Sequence, residues 1–162
     1  MQTAAFAGAG AQAGAAFAAE PIGYIQKCLR LYADGAGRAR RAEYWWWALF
    51  CVVTLTVAGV IDMQFGVDYT GAPTNPIMTG ATWFALLAPG ISVTSRRLHD
   101  IGKSGWIAAA LVGSTVIGMV LSSDASVIGP LISLAAIAAA IVVGVLPSSP
   151  GANQYGQNPK GQ

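Results

Sequence analysis

Two short blocks concentrate the side chains able to do acid–base or ionic chemistry in this 162-residue chain. One is Gly37-Arg38-Ala39-Arg40-Arg41-Ala42-Glu43-Tyr44. The other is Arg96-Arg97-Leu98-His99-Asp100-Ile101-Gly102-Lys103-Ser104-Gly105-Trp106. Three chemistries suit them. Glu43 can pair with Arg96 or Arg97, and Asp100 with an arginine of the first block, in planar bidentate contacts. The same cations can hold an anionic lipid headgroup, as basic pockets at a membrane surface do. His99 can serve as a general base with Asp100 as its orienting partner. The third is the weakest, because neighbours in sequence diverge by about 100° on a helix. No second histidine accompanies His99 either. Arg38, Arg40, Arg41, Glu43, Arg96, Arg97, His99, Asp100 and Lys103 are therefore the candidate site, as a lipid- or partner-binding cluster or a structural ion-pair cluster. No residue is assigned a catalytic role. Cys28 and Cys51 show no CxxC or Cys/His spacing, so neither a metal site nor a disulfide framework is expected, and no cofactor is implied. Both read as small apolar residues.

The elements that must position these blocks are apolar. Hydrophobic residues make up 54% of the chain and charged ones 10%, against about 25% charged in soluble domains. Four segments lack any charge: 44–61, 75–95, 104–123 and 125–147. Each approaches or exceeds the roughly 20 residues that a membrane-spanning helix needs. Ser122-Ser123-Asp124-Ala125-Ser126, followed by Gly129-Pro130, reads as a tight hairpin between the last two.

Charge tests the four-span arrangement independently. Lys27, Arg30, Arg38, Arg40 and Arg41 precede the first span; Arg96, Arg97 and Lys103 lie between the second and third; Lys160 follows the fourth. All nine cations then fall on one side, which the positive-inside rule makes cytoplasmic. The other two connections hold Asp62, Asp68 and Asp124. Trp45, Trp46, Trp47 and Trp106 stand where an interfacial aromatic belt is expected. The net charge of +2 gives no reason to expect nucleic acid.

Residues 1–20 read as a disordered Ala/Gly-rich leader, and 21–160 as a single membrane domain. Between Ile22 and Tyr32 the pattern is amphipathic: Gly23, Gln26, Lys27 and Arg30 share one helical face, Ile22, Ile25, Leu29 and Tyr32 another. A helix this short suits the headgroup layer or the bundle's cytoplasmic end. Ala110, Ser114, Gly118 and Ser122 form a small-residue ridge on the third span, and Ala136, Ala140 and Gly144 one on the fourth. Such rows let helix backbones approach closely. Pro89-Gly90 should loosen or kink the second span. No Asp, Glu, Lys, Arg or His lies inside a span, which counts against an ion-coupled transporter.

Four ordered motifs carry a family resemblance. Gly37–Trp45, Arg96-Arg97-Leu98-His99-Asp100, Ser104-Gly105-Trp106 and the tail Gly151-Ala152-Asn153-Gln154-Tyr155-Gly156-Gln157-Asn158-Pro159 resemble the YhaH-type bacterial inner-membrane proteins, catalogued as domain of unknown function 805. The match reaches from about Tyr24 to Pro159. It implies a small helical inner-membrane protein without an assigned activity, and supplies no catalytic residues. This sequence departs from the pattern in its leader, in Gly35-Ala36 before the Gly-Arg motif, and in carrying one Trp after Ser-Gly. The tail motif itself suits a turn, from which Tyr155 can dock on the bundle.

The sequence thus predicts an all-α bundle of four transmembrane helices preceded by a short amphipathic helix. The expected location is a bacterial inner membrane, multi-pass, with both termini cytoplasmic. The expected function is a non-enzymatic module binding a protein partner or anionic lipid through its arginine-rich face, with a homo-oligomer as another possible association. The rival is a small transporter or channel lined by Ser and Thr.

Overall fold

A computed structural model describes residues 20–68, 70–122 and 127–159. The leader lies almost wholly outside the described residues, as do Ser123–Ser126 of the expected hairpin and Lys160. Among the described residues the chain is helical: α1 (20–30), α2 (Arg41–Met63), α3 (Ile77–Asp100), α4 (Trp106–Leu121) and α5 (Ile128–Val145). Each uncharged segment of the sequence has become one long helix. Three of these, α2, α3 and α5, are long and apolar enough to cross a membrane, whereas α4 has 16 residues. Their outward faces are apolar, with Val52, Phe84, Ile117 and Leu134 all exposed.

The helices form two hairpins. The most extensive contacts join α4 to α5 and α2 to α3, and α3 meets α4 less closely. The first hairpin is closed at its loop end by Asp62, whose carboxylate accepts from the N–H groups of Met78 (2.9 Å) and Thr79 (2.7 Å) and from the Thr79 hydroxyl (2.7 Å). Those amides belong to the first turn of α3, where a helix has no partners of its own. Asp68 organises the connecting loop in the same way, accepting from the Thr70 hydroxyl and from the amides of Thr70 and Ala72. The Thr70 hydroxyl, with these amides, holds its carboxyl below the usual carboxylate range.

The second hairpin depends on glycine. A Cβ on Gly118 would lie 2.8 Å from the Gly129 carbonyl oxygen, so only glycine lets α4 and α5 approach here. The expected ridges are used only in part. Gly118 and Ala136 are buried, but Ala110 is exposed. Gly144 faces α2 instead of α4: a Cβ there would sit 2.8 Å from the Tyr44 and Trp45 rings. The period of four places residues on one stripe, but an additional helix can claim part of it.

Two other expectations are revised. Trp47 is buried with Cys28, Ala39 and Val93 in a core cluster, because its face of α2 packs against α3. It is therefore not free to join a surface belt, whereas Trp106 is 83% exposed. On α1, the face turned inward carries Cys28 and, partly, Ile25. Ile22, Leu29 and Tyr32 remain exposed, so the helix both docks on the bundle and presents apolar side chains outward.

α3 runs without interruption through Pro89. Proline has no N–H to give the carbonyl one turn back, so that of Ala85 loses its helical donor. The Tyr32 hydroxyl donates to that oxygen at 2.6 Å. A phenol from the linker thus replaces the missing bond. We expect Tyr32→Phe to cost about 0.5–1.5 kcal/mol, and clearly less in a Pro89→Ala background, where an amide returns. Thermal unfolding of the four proteins of this double-mutant cycle in detergent checks it; equal costs in both backgrounds would separate Tyr32 from Pro89.

Candidate functional site

The site begins at the C-terminus of α5. Pro147 forces the residue before it out of the helical region, and Leu146 is accordingly extended (φ −51°, ψ 141°). The helix stops there with its last carbonyls lacking intrahelical donors. Side chains from the other hairpin supply them. Arg97 donates from Nε to the Val143 oxygen (3.1 Å) and from Nη2 to the Leu146 oxygen. Trp45 Nε1 donates to Gly144 (3.2 Å) and Arg41 Nη1 to Val145 (3.5 Å). One turn deeper, the Tyr44 hydroxyl donates to Ala140 (3.0 Å). A guanidinium at this point also meets the negative end of the helix dipole.

Asp100 balances that charge. Its carboxylate accepts from Arg97 Nη1, from Arg38 Nε at 2.9 Å and from the Ser148 hydroxyl at 2.5 Å. Asp100 occupies the last turn of α3 because Gly102 (φ 73°) ends the helix there. The amide of Gly102 donates to His99 and that of Lys103 to Leu98, a left-handed cap that suits glycine. Arg38 then ties down the tail, donating to the carbonyls of Ser149 (2.8 Å), Gly151 (2.7 Å) and Gly156 (3.3 Å). The Ser149 amide and hydroxyl both donate to the Asp100 carbonyl.

A second node lies beside the first. Glu43 accepts from Arg96 Nη1 and, at 2.8 Å, from Lys27 Nζ. Cys28 sits against both Glu43 and Arg96, and burial, with Glu43 adding to it, pushes its thiol up. The linker between α1 and α2 threads between the nodes: the Ala39 amide donates to Arg96, and the Ala39 carbonyl accepts from Arg97. Ser92 of α3 holds the linker from the other side through Leu31 and Asp34. Arg96 Nε and Trp47 Nε1 are buried without a hydrogen-bond partner among the described residues.

Five of the nine sequence-selected residues are therefore brought into one buried core. Arg38, Glu43, Arg96, Arg97 and Asp100 are all at most 7% exposed. The other four lie around it. Arg40 donates to the Pro159 carbonyl (2.7 Å from Nε). Arg41 and Lys103 are exposed. His99 accompanies Asp100 without contacting its carboxylate: Nδ1 meets the Gly37 carbonyl at 3.1 Å, and the ring stacks on Tyr155 with centroids 3.8 Å apart.

Beside this core is a cavity of about 740 Å³. It is an open groove lined by the linker (Ala33, Gly35, Ala36), α3 (Ala88 to His99), the segment entering α4 (Ser104 to Ala109) and Tyr155 of the tail. Its walls are small or apolar except toward His99, Ser95 and Ser104.

The model of the family described as "Protein of unknown function (DUF805)" matches residues 32–157, which takes in both arginine blocks, all four long helices and the docked tail. The chain belongs to the DUF805 family. Curated relatives agree. Inner membrane protein YhaH of Escherichia coli (strain K12) is 31% identical over 134 residues, covering 83% of this chain and 93% of that one. Inner membrane protein YhaI of the same organism is 31% identical over 77 residues, 48% of this chain and 60% of that one. No solved structure matches. In this DUF805 chain every motif behind the resemblance touches the clasp or the cavity: Arg38 and Glu43, the Arg96–Asp100 run, Ser104-Gly105-Trp106, and the tail.

Other participants carried no obvious sequence signal. Ser92 and Ser148 are ordinary polar residues by type, and Asn153, although part of the tail motif, gave no sign that its side chain donates to His99 O and Ser149 Oγ, both at 2.9 Å. Arg41 and Trp45 stood out in the sequence, but not as caps of α5, three helices along the chain. The Pro147 stop was the available clue, since it implied orphaned carbonyls. Removing the Asp100 carboxylate leaves Arg38 and Arg97 buried without their counter-ion. We expect Asp100→Ala to lose about 3–5 kcal/mol, the usual cost of breaking a buried pair, read as reduced membrane accumulation and a lower unfolding midpoint. Wild-type stability in that variant would contradict the clasp.

Proposed function

We propose that this DUF805 protein is a four-span inner-membrane protein with both termini cytoplasmic, acting as a non-enzymatic module that binds anionic lipid at its cytoplasmic face. The inner-membrane location follows the YhaH and YhaI relatives. The fourth span is α4, whose 16 residues reach about 24 Å at 1.5 Å per residue. That is short of the hydrocarbon core and needs local thinning or flanking residues to complete it. The observation that carries the binding reading is the charge imbalance at the clasp end. Eight of the chain's Lys and Arg residues stand there against four carboxylates, Glu20, Asp34, Glu43 and Asp100. The buried arginines are engaged with helix ends and carboxylates, so ligand contact falls to exposed Arg30, Arg41 and Lys103. Lipid is favoured over a protein partner by α1, which turns Ile22 and Leu29 outward beside these cations. That is the composition of a helix lying in a headgroup layer.

The channel reading has one observation to its credit, a cavity of about 190 Å³ between the hairpins. Thr115 is the main polar group among its otherwise apolar lining, which offers little to select an ion.

Topology is tested with introduced thiols, because Cys28 is buried and its raised thiol pKa makes it a poor probe. Asn75→Cys should react with an impermeant maleimide in intact spheroplasts, and Lys103→Cys only after permeabilisation; the reverse pattern would invert the protein. Binding is tested by mass spectrometry of protein extracted in its native lipid patch. Enriched anionic lipid, lost on replacing Arg30, Arg41 and Lys103 by alanine, is the expected result. Bulk lipid composition in the wild type would refute the module.

A further inference from the structure

We infer that the 740 Å³ cavity is the seat of one phospholipid with an anionic, hydroxyl-bearing headgroup such as a glycerol phosphate. The inference rests on the lipid-binding reading and deepens it by naming the site. Its first support is the shape of the chemistry along α3. Ala88 and Ile91 line one end and His99 the other. Eleven residues separate Ala88 from His99, which is about 16 Å along the helix axis. The wall thus passes from the apolar Ala88 and Ile91 to the polar Ser95, Ser104 and His99. A soluble anion would have no use for the apolar half. An amphiphile matches both halves.

The second support is His99. Its Nδ1 lies against the Gly37 carbonyl, which can only accept, so Nδ1 carries the proton. In the neutral ring Nε2 is then an acceptor. It lies 2.8 Å from where a Cβ of Gly105 would stand, so this nitrogen faces the mouth of α4. Stacking on Tyr155 fixes the ring plane. A fixed acceptor suits a donor hydroxyl on the headgroup. The phosphate beside that hydroxyl would lie near the start of α4, which has no side-chain cap; no Lys or Arg lines the cavity itself, and Lys103, two residues before Gly105, is the exposed cation nearest in sequence.

The third support is the absence of bulk along the remaining wall. Ala33, Ala36 and Ala109 keep the space open where larger side chains would fill it, while Gly35 lets the linker approach Ser95 closely.

The test combines native mass spectrometry with photo-crosslinking of the full-length protein. Wild-type protein should retain phosphatidylglycerol in preference to phosphatidylethanolamine and to phosphatidic acid. Ala109→Phe, at an exposed position on the cavity wall, should weaken retention about tenfold, equivalent to losing one anchoring contact. His99→Phe keeps an aromatic ring to stack on Tyr155, and should abolish the preference over phosphatidic acid. A diazirine on the acyl chain of phosphatidylglycerol should crosslink to the Trp106–Ala109 segment of the wild type, a readout independent of any variant's folding. No preference for anionic lipid in the wild type overturns both this site and the lipid reading. Preference that survives Ala109→Phe, with crosslinks on α1, overturns the site and leaves the lipid reading standing. Displacement by free glycerol phosphate overturns the acyl half of the proposal.

Discussion

One guanidinium holds the two halves of this protein together. Arg97 leaves α3, caps two carbonyls at the end of α5 and pairs with Asp100 on its own helix. Helix ends are sticky only when something has stopped the helix, and Pro147 does that here. In water the freed carbonyls would be hydrated. Near or within a bilayer each needs a protein donor, since an unsatisfied backbone group there is expensive. Arginine suits the task because its five donors spread in a plane and reach several acceptors at once, which an ammonium group cannot do in the same geometry.

The rest of the architecture follows from where that joint lies. Apolar side chains gain little by leaving lipid for one another, so helix association relies on close packing and polar contacts. Within each hairpin the packing is close, through Gly118 and Gly129 in one and through Asp62 at the loop of the other. Between hairpins the packing is sparser, and the polar joints to α5 lie at the clasp end. The cavity beside His99 opens at this same end. The clasp fixes both sides of it, and Tyr155, held by the turn that Arg38 secures, closes one end. A charged core makes a poor source of net stability, since desolvation offsets much of the Coulomb attraction. Its value here is positional: the linker, three helices and the tail each have one place to go.

Much of the helical framework was legible in the sequence because absence of charge over about 20 residues has few other causes. The pairing of Glu43 with Arg96 and of Asp100 with Arg38 could be anticipated, since four adjacent charges at one level have few alternatives. Carbonyl capping could not, because a list of side chains conceals which backbone groups lack partners. The same blindness hid the Tyr32–Pro89 pairing, although proline itself announces a missing donor. The small-residue ridges misled in part: spacing identifies a stripe but not the neighbour, and α2 rather than α4 claims Gly144. Trp47 misled for a related reason, since three consecutive tryptophans point in three directions and one of them must face inward.

The central claim is that the Arg97 fork, beyond its charge, joins the hairpins. Hydrogen–deuterium exchange of an Arg97→Lys variant in nanodiscs tests it most directly, because lysine keeps the charge and loses the fork. Exchange should accelerate across residues 143–156, where α5 ends and the tail docks, while the Asp62-closed turn between α2 and α3 keeps its protection. Wild-type exchange throughout the tail would show that a point charge suffices and would contradict the account.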